Sequence, residues 1–271
     1  MRWNPFPDFR CYNPAMLVTV LVGLIGWAAG ALVNYLADVL PYKRALVTPF
    51  CHTCGAPQSF TNYLLWPRRC DDCRAWRTWR VWIVEIAFVA ATLWLWLRPP
   101  PNLNFLLGFI LLVYFGLVTL IDLEHRLIMH PVSIAGAILG LGIGTWLHGF
   151  WDTLLGGVAG FVIMLGLYVL GSLFARLAAR IRGETLDEEA LGFGDVNLAG
   201  VLGLILGWPG IIMGLVFAIL LGGLVSGIYM LTMLVTRRFQ AFTAIPYGPF
   251  LIAGAMFLLY FRSSIIGFLG P

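Results

Sequence analysis

Long apolar runs with almost no charge recur along nearly the whole chain, and they limit its fold more than any other feature. A transmembrane helix needs about 20 consecutive apolar residues, and about eight runs of this 271-residue chain come near that length. They lie at about 15–40, 81–98, 104–122, 131–148, 153–176, 194–208, 210–235 and 247–268. We therefore predict an all-α membrane protein with about eight transmembrane helices, or seven if the short sixth run does not cross.

The composition excludes the common soluble classes. Charged residues make up 11% of the chain and apolar residues 60%, whereas a soluble domain carries roughly 25% charged residues. A soluble globule, a disordered chain, collagen and a coiled coil are therefore excluded, and the continuous runs lack the alternation of a transmembrane β-barrel. The chain begins with a polar and aromatic segment without a cleavable signal, so we expect the first run to remain as a membrane span.

Lys and Arg are concentrated in alternate loops, which predicts the orientation of the chain in the membrane. Eight spans place four loops on one side, at 41–80, 123–130, 177–193 and 236–246. These loops and the helix ends beside them hold 13 of the 17 Lys and Arg residues. Because basic loops stay in the cytoplasm, we expect loop 41–80 to be cytoplasmic and both termini to lie outside. We therefore interpret the net charge of +4 as a sign of membrane orientation. Nucleic-acid binding is the alternative interpretation of this charge, and no other feature of the sequence favours it.

Four cysteines in the first of these loops form two short pairs. Cys51 and Cys54 make one C-x-x-C, and Cys70 and Cys73 make a second, with fifteen residues between the pairs. This spacing is typical of a four-thiolate zinc site, which is structural because four cysteines leave no open coordination position. Two disulfides or free thiols are the alternatives, although a cytoplasmic loop is kept reduced. Cys11, the fifth cysteine, has no assigned role.

Few ionisable side chains lie near the apolar runs, and such groups are candidates for function because they are costly in a membrane. They are Asp38, Glu85, Asp122, Glu124, Asp152 and Asp195. Asp122 ends the third run and Asp195 opens the sixth, so we expect both at the cytoplasmic edge and at the same depth. Two facing carboxyls share a proton, so one can activate water while the other polarises a carbonyl, as in aspartic proteases.

Structural interpretations of three of these acids stay open at this point. Asp195 stands where a helix N-cap would, since Asp is a favoured capping residue. Asp38 could be a solvated acid at the cytoplasmic edge. Glu85 could pair with Arg80 or with a neighbouring helix.

Two glycines, Gly192 and Gly194, stand just before Asp195. Glycine adopts backbone conformations that other residues resist, and it lets another chain approach closely. We therefore expect these two glycines to bind a substrate segment beside the second carboxylate.

Taken together, these motifs resemble the type IV prepilin peptidases, a family of GxGD aspartic membrane proteases, over nearly the whole chain. The matching positions are Asn34 and Pro41, the four loop cysteines, Arg80 and Glu85, Asp122, then Asp152, Gly156 and Gly160, then Gly192, Gly194 and Asp195, and finally 245–250. By this resemblance, Asp122 and Asp195 are the two catalytic aspartates. Arg68 departs from the family, whose members often carry Gly at that position.

The resemblance implies a specific activity. The enzyme would remove the short, basic leader of type IV prepilins or pseudopilins after a Gly, on the cytoplasmic face of a bacterial inner membrane. Many members then methylate the new N-terminus with S-adenosylmethionine. A cation at Arg68 would crowd a site that holds a sulfonium, so methylation stays open here. The substrate's identity and the oligomeric state are not predicted.

Two other functions remain as alternatives. A membrane transporter with a zinc loop would use buried acids for ion coupling, but the sequence shows no internal repeat of the kind transporters carry. An inactive scaffold that binds pilins would not need both aspartates. We divide the chain into an outer N-terminus with the first helix (1–40), a cytoplasmic zinc-binding loop (41–80) and a peptidase bundle (81–271).

Overall fold

The helices predicted from the apolar runs are present in the structure, a computed structural model that describes residues 14–65, 68–101, 103–182, 192–236 and 246–269. In chain order they are α1 (Pro14–Lys43), α2 (Phe60–Leu64), α3 (Trp79–Leu97), α4 (Phe105–His125), α5 (His130–His148), α6 (Phe150–Arg182), α7 (Phe193–Leu206), α8 (Gly210–Val235) and α9 (Gly248–Leu269). Helix α2 is a single short turn inside the cysteine loop. The all-α fold is therefore confirmed. Cys11 and the basic pair at 237–238 lie outside the described residues.

Six of the described helices are long and apolar enough to cross a membrane, namely α1, α3, α4, α5, α6 and α8. Helix α7 and the described apolar part of α9 are shorter. The 14 residues of α7 rise about 21 Å, which is less than the roughly 30 Å of a bilayer core. The end of α7 that carries Asp195 can therefore lie below the membrane surface.

The chain folds as two units, and the first is Met1–Pro99. In this unit α1 packs along α3. Gly30 makes the close approach possible, because a Cβ atom there would lie 2.9 Å from the Cα of Glu85. Small residues at such contacts let membrane helices pack backbone to backbone.

The second unit, Pro100–Pro271, is built around α7. This helix packs most extensively on α6 and also contacts α5, α8 and α9. Gly156 of α6 and Gly203 of α7 face each other so closely that a Cβ atom on either would overlap the backbone of the other. Because α7 is enclosed in this way, most of its side chains are buried.

Exposed tryptophans mark one end of the second unit. Trp146, Trp151 and Trp208 are 78%, 72% and 45% exposed, and they lie where α5 ends, α6 begins and α7 has ended. Trp is enriched where membrane meets water, so we expect this end at one face of the bilayer. The end of α4 and the start of α7, which carry the two candidate aspartates, lie towards the opposite end of the unit.

Candidate active site and metal centre

The structure brings Asp122 and Asp195 together. Asp122 lies in the last turn of α4 and Asp195 in the first turn of α7, and their residues are 4% and 8% exposed. Their carboxylates are close enough to interact electrostatically. The two acids predicted to share one membrane depth are therefore neighbours, buried from solvent by the surrounding helices.

Each carboxylate faces a backbone N–H at the start of a helix. The N–H of Gly192, just before α7, interacts with Asp195, and the N–H of Gly248, the first residue of α9, interacts with Asp122. Helix N-termini attract anions because their first N–H groups have no partner within the helix. Oδ2 of Asp122 is buried and makes no hydrogen bond within the described part of the chain, so its acceptor capacity is not used by the fold there.

The glycines near the pair act by close approach, and not by unusual backbone conformation. Gly192 has φ −79° and ψ 143°, which any residue can adopt, so the expectation of a special conformation there was wrong. A Cβ on Gly194 would lie 2.9 Å from Cβ of Ile128, which follows α4. Gly194 thus lets the start of α7 reach the segment after Asp122. A Cβ on Gly248 would lie 2.6 Å from Oδ2 of Asp122, a contact that the sequence did not reveal.

Asp195 is not the N-cap of α7, as one interpretation of the sequence had it. Gly192 occupies the cap, and Asp195 is the third helical residue. Its carboxylate turns back to the N–H of Gly192, as the acidic residue of a capping box does. The contact orients the carboxylate at the helix start.

The four loop cysteines form one cluster. Their sulfur atoms all lie within 4.8 Å of one another. Sγ of Cys51 lies 3.6 Å from Sγ of Cys73, and Sγ of Cys54 lies 3.6 Å from Sγ of Cys70. These separations match the edge of a tetrahedron with Zn–S bonds of about 2.3 Å, which is about 3.8 Å. The four thiols and their spacing therefore fit zinc. Each cysteine of the first pair faces one cysteine of the second pair.

The two C-x-x-C turns have the same backbone shape. In the first, the N–H of Cys51 donates to the carbonyl of Ala56, and in the second Cys70 donates to Ala75. The residue after each pair, Gly55 or Arg74, has φ near +76° or +55°. Sγ of Cys70 accepts from the backbone N–H of Cys73 and from that of Asp72, and it also interacts with the side chain of Cys54. These contacts lower the pKa of the Cys70 thiol to about 6.

Asp38 is buried and is not a solvated acid, which corrects the sequence interpretation. It is 6% exposed and accepts hydrogen bonds from Tyr63 at 2.5 Å, from Arg77 at 2.6 Å and from Arg80 at 2.5 Å. His52, inside the first cysteine pair, lies 3.5 Å away. A buried carboxylate needs such partners, and here they tie the cysteine loop to the end of α1.

Glu85 pairs with Arg68, whereas the sequence suggested Arg80. Nη2 of Arg68 and Nε1 of Trp27 each donate to Oε2 of Glu85 at 3.0 Å. Arg68 also lies over the ring of Trp82, 4.3 Å from its centroid. The side chains of Arg68 and Glu85 are both 5% exposed, so the Arg68 charge is compensated inside the protein. The expected contact of Glu85 with a neighbouring helix is present through Trp27 of α1.

The two remaining candidate acids among the described residues differ from these in burial. Glu124 and Asp152 are both exposed. The acidic run at 184–189 falls outside the described residues.

Comparison with known proteins gives one family. Residues 105–227, which include both aspartates, match the type IV leader peptidase family. The prepilin leader peptidase/N-methyltransferase of Pseudomonas aeruginosa strain PAO1 is 27% identical over 94% of this chain and 94% of its own length. The protein of that name from Aeromonas hydrophila is 26% identical over 82% of this chain and 75% of its own, and the one from Stutzerimonas stutzeri is 31% identical over 56% and 50%. No solved structure matches the chain.

The region matched by the family includes the candidate active site. The family match covers the helices that carry Asp122 and Asp195, and the relative from Pseudomonas aeruginosa aligns with almost the entire chain, including the cysteine loop. The chain is therefore similar to the type IV leader peptidase family over the helices that carry both aspartates, and to prepilin leader peptidase/N-methyltransferases over nearly its whole length.

Proposed function

We propose that this chain is a membrane aspartic endopeptidase that removes the leader of type IV prepilins or pseudopilins. The observation that carries the proposal is the pair of buried carboxylates, Asp122 and Asp195, each beside a helix N-terminus. The names of the relatives, prepilin leader peptidase/N-methyltransferase, supply the substrate class.

The reaction needs only the two carboxyls and one water molecule. The ionised carboxylate takes a proton from water, whose oxygen attacks the carbonyl carbon of the scissile peptide bond. The protonated carboxyl of the partner residue donates its proton to the carbonyl oxygen. When the tetrahedral intermediate collapses, the C–N bond breaks and the leaving nitrogen takes a proton from the pair. Because the two groups interact, they titrate as a unit.

The site's position suggests how the substrate reaches it. Asp195 lies at the start of a helix too short to cross the bilayer core, so we place the cut at the membrane edge. Gly192 and Gly194 stand on either side of the exposed Phe193 at the start of α7, and we assign the two glycines to binding the extended substrate segment. The 13 of 17 basic residues on one side support a cytoplasmic location for this edge and for loop 41–80, with both termini outside, in a bacterial inner membrane.

Zinc is proposed as a structural ion held by Cys51, Cys54, Cys70 and Cys73. Four thiolates complete its tetrahedron, so zinc would hold the two turns of the loop together and would take no part in bond cleavage. The loop 41–80 is then a metal-stapled segment between an N-terminal span (1–40) and the peptidase bundle (81–271).

Methyl transfer is the second activity in the relatives' names. In the described part of the first unit, the buried carboxylates Asp38 and Glu85 already bind arginines, so neither is free to hold the sulfonium of S-adenosylmethionine. We assign no residue to this cofactor, and we propose cleavage as the first activity, with methylation of the new N-terminus from S-adenosylmethionine as a second step. The product's mass decides whether methylation follows.

A transporter was the alternative, and no observation favours it. The matched family consists of peptidases, and the buried acid pair lies at helix ends and not at the membrane midplane.

The direct experiment uses the purified full chain, a prepilin and S-adenosylmethionine in detergent, with the products read by mass spectrometry. We expect a pilin shortened by its leader after a Gly. A further gain equal to one methyl group would establish the second activity. An uncut prepilin under conditions in which a known prepilin peptidase cuts it would contradict the proposal.

A further inference from the structure

The side chain of Tyr247 forms part of the wall beside the aspartate pair. Tyr247 is the residue just before α9, and its ring packs against Phe250, with 6.2 Å between the ring centroids. The ring also approaches Gly222 of α8, where a Cβ atom would come within 3.2 Å of Cε2 of Tyr247. The half-buried ring therefore packs against residues of both α8 and α9.

Gly248, the residue after Tyr247, lies against the aspartate pair, since a Cβ atom there would come within 2.6 Å of Oδ2 of Asp122. The Tyr247 hydroxyl makes no hydrogen bond to another described residue. It is close enough to the Asp195 carboxylate to interact with it electrostatically. Other tyrosine hydroxyls are used within the fold: that of Tyr63 donates to Asp38 at 2.5 Å, and that of Tyr260 donates to the carbonyl of Gly108 at 2.7 Å. The Tyr247 hydroxyl is a donor that the described part of the fold does not consume.

The backbone next to Tyr247 reaches the other aspartate. The N–H of Gly248 faces the carboxylate of Asp122, so one dipeptide, Tyr247–Gly248, approaches both acids. A substrate segment with its scissile bond between Asp122 and Asp195 would run past this dipeptide. The main-chain carbonyls of that segment need donors once they leave water, because an unpaired buried carbonyl is costly.

We propose that Tyr247 is a substrate-binding residue whose hydroxyl donates a hydrogen bond to a main-chain carbonyl of the prepilin beside the scissile bond. The inference rests on the proposed peptidase function and adds a specific contact to it. The contact orients the bound segment between the two carboxylates. Removing one hydrogen bond to an uncharged group lowers kcat/KM by roughly three- to tenfold when the bond forms in the transition state.

The test compares two Tyr→Phe variants on the same helix region, Tyr247→Phe and Tyr260→Phe. The first removes a hydroxyl with no partner in the described fold, so its thermal unfolding should match wild type while kcat/KM for leader cleavage falls roughly three- to tenfold. The second removes a buried hydrogen bond, so its unfolding temperature should fall while kcat/KM of the folded enzyme stays near wild type.

The outcomes separate the inference from the function it depends on. If wild type cleaves the prepilin and Tyr247→Phe has the same kcat/KM as wild type, the inference is overturned and the peptidase function stays in place. A loss in Tyr247→Phe that is accompanied by an equal loss of folded protein also overturns it, because the role is then structural. Absence of cleavage by wild type overturns both.

Discussion

Buried arginine–carboxylate pairs hold the cysteine loop against the first unit's helices. The pair of Arg68 and Glu85 has one partner in the loop and one on α3, and it is shielded by the ring of Trp82. Removing one member of a buried ion pair leaves the other charge without compensation, which costs about 3–5 kcal/mol. Replacing both members costs much less, because no bare charge remains.

We therefore expect Arg68→Met to lower the unfolding temperature of the purified protein, since Trp27 is then the one remaining donor to Glu85 among the described residues. The double variant Arg68→Met/Glu85→Gln should recover most of the loss, because the neutral amide still accepts from Trp27. Thermal unfolding in detergent measures both. An Arg68→Met variant as stable as wild type would contradict the assignment of a compensated buried charge.

At this scale, the sequence indicated that the two candidate aspartates lie together, but it did not indicate which residues the other acids contact. Asp122 and Asp195 could be chosen because each stands at the end of an apolar run, where few acids are tolerated. The partners of Asp38 and Glu85 could not be predicted from the sequence, because a long arginine side chain reaches whichever carboxylate the tertiary fold brings near. Gly248 also gave no signal of its own, since its contact with Asp122 joins two helices far apart in the sequence.

Among the elements, the two C-x-x-C turns are the ones that a bound metal ion would stabilise. Each turn is short, and the four sulfurs that join the turns lie close together. A metal ion that binds all four would supply much of the free energy that keeps such a loop folded.

We expect about one zinc ion per chain in protein purified without chelators, and a large loss of zinc in Cys54→Ser. Cys11→Ser is the matched control, because Cys11 belongs to neither pair, and it should keep the zinc content of wild type. Limited proteolysis should cut the loop of Cys54→Ser faster than that of the control. Elemental analysis that finds no metal in wild type would remove the assignment.

Helix lengths were the most predictable part of the fold, because a membrane span is set by hydropathy over some 20 residues and needs no tertiary information. The short sixth run was recognised from its sequence, and α7 has 14 residues. The packing around α7 was less predictable. The packing depends on glycines such as Gly156 and Gly203. These two face each other because of how α6 and α7 are arranged, and the sequence of one helix alone does not predict that.

For the whole molecule, the distribution of basic residues predicts orientation. Reporter fusions that distinguish cytoplasm from exterior, placed at residue 60 and at the C-terminus, test it directly. We expect a cytoplasmic signal at residue 60 and an exterior signal at the C-terminus, because 13 of the 17 basic residues lie on the side of loop 41–80. A cytoplasmic C-terminus would contradict the eight-span arrangement.

The central claim is that Asp122 and Asp195 act as one catalytic unit. Asn at either position keeps the side-chain shape and removes the ionisable group, so folding should be nearly unaffected. Groups that work together are non-additive, so the double variant should lose no more activity than either single variant. Asp152→Asn is the matched control, because Asp152 is exposed and lies in the first turn of α6.

The most direct measurement is leader cleavage of a prepilin in detergent by wild type, Asp122→Asn, Asp195→Asn and Asp152→Asn, with each protein shown to be folded. The account predicts that Asp122→Asn and Asp195→Asn each abolish cleavage while Asp152→Asn cuts at the wild-type rate. Substantial cleavage by either Asp122→Asn or Asp195→Asn would contradict it.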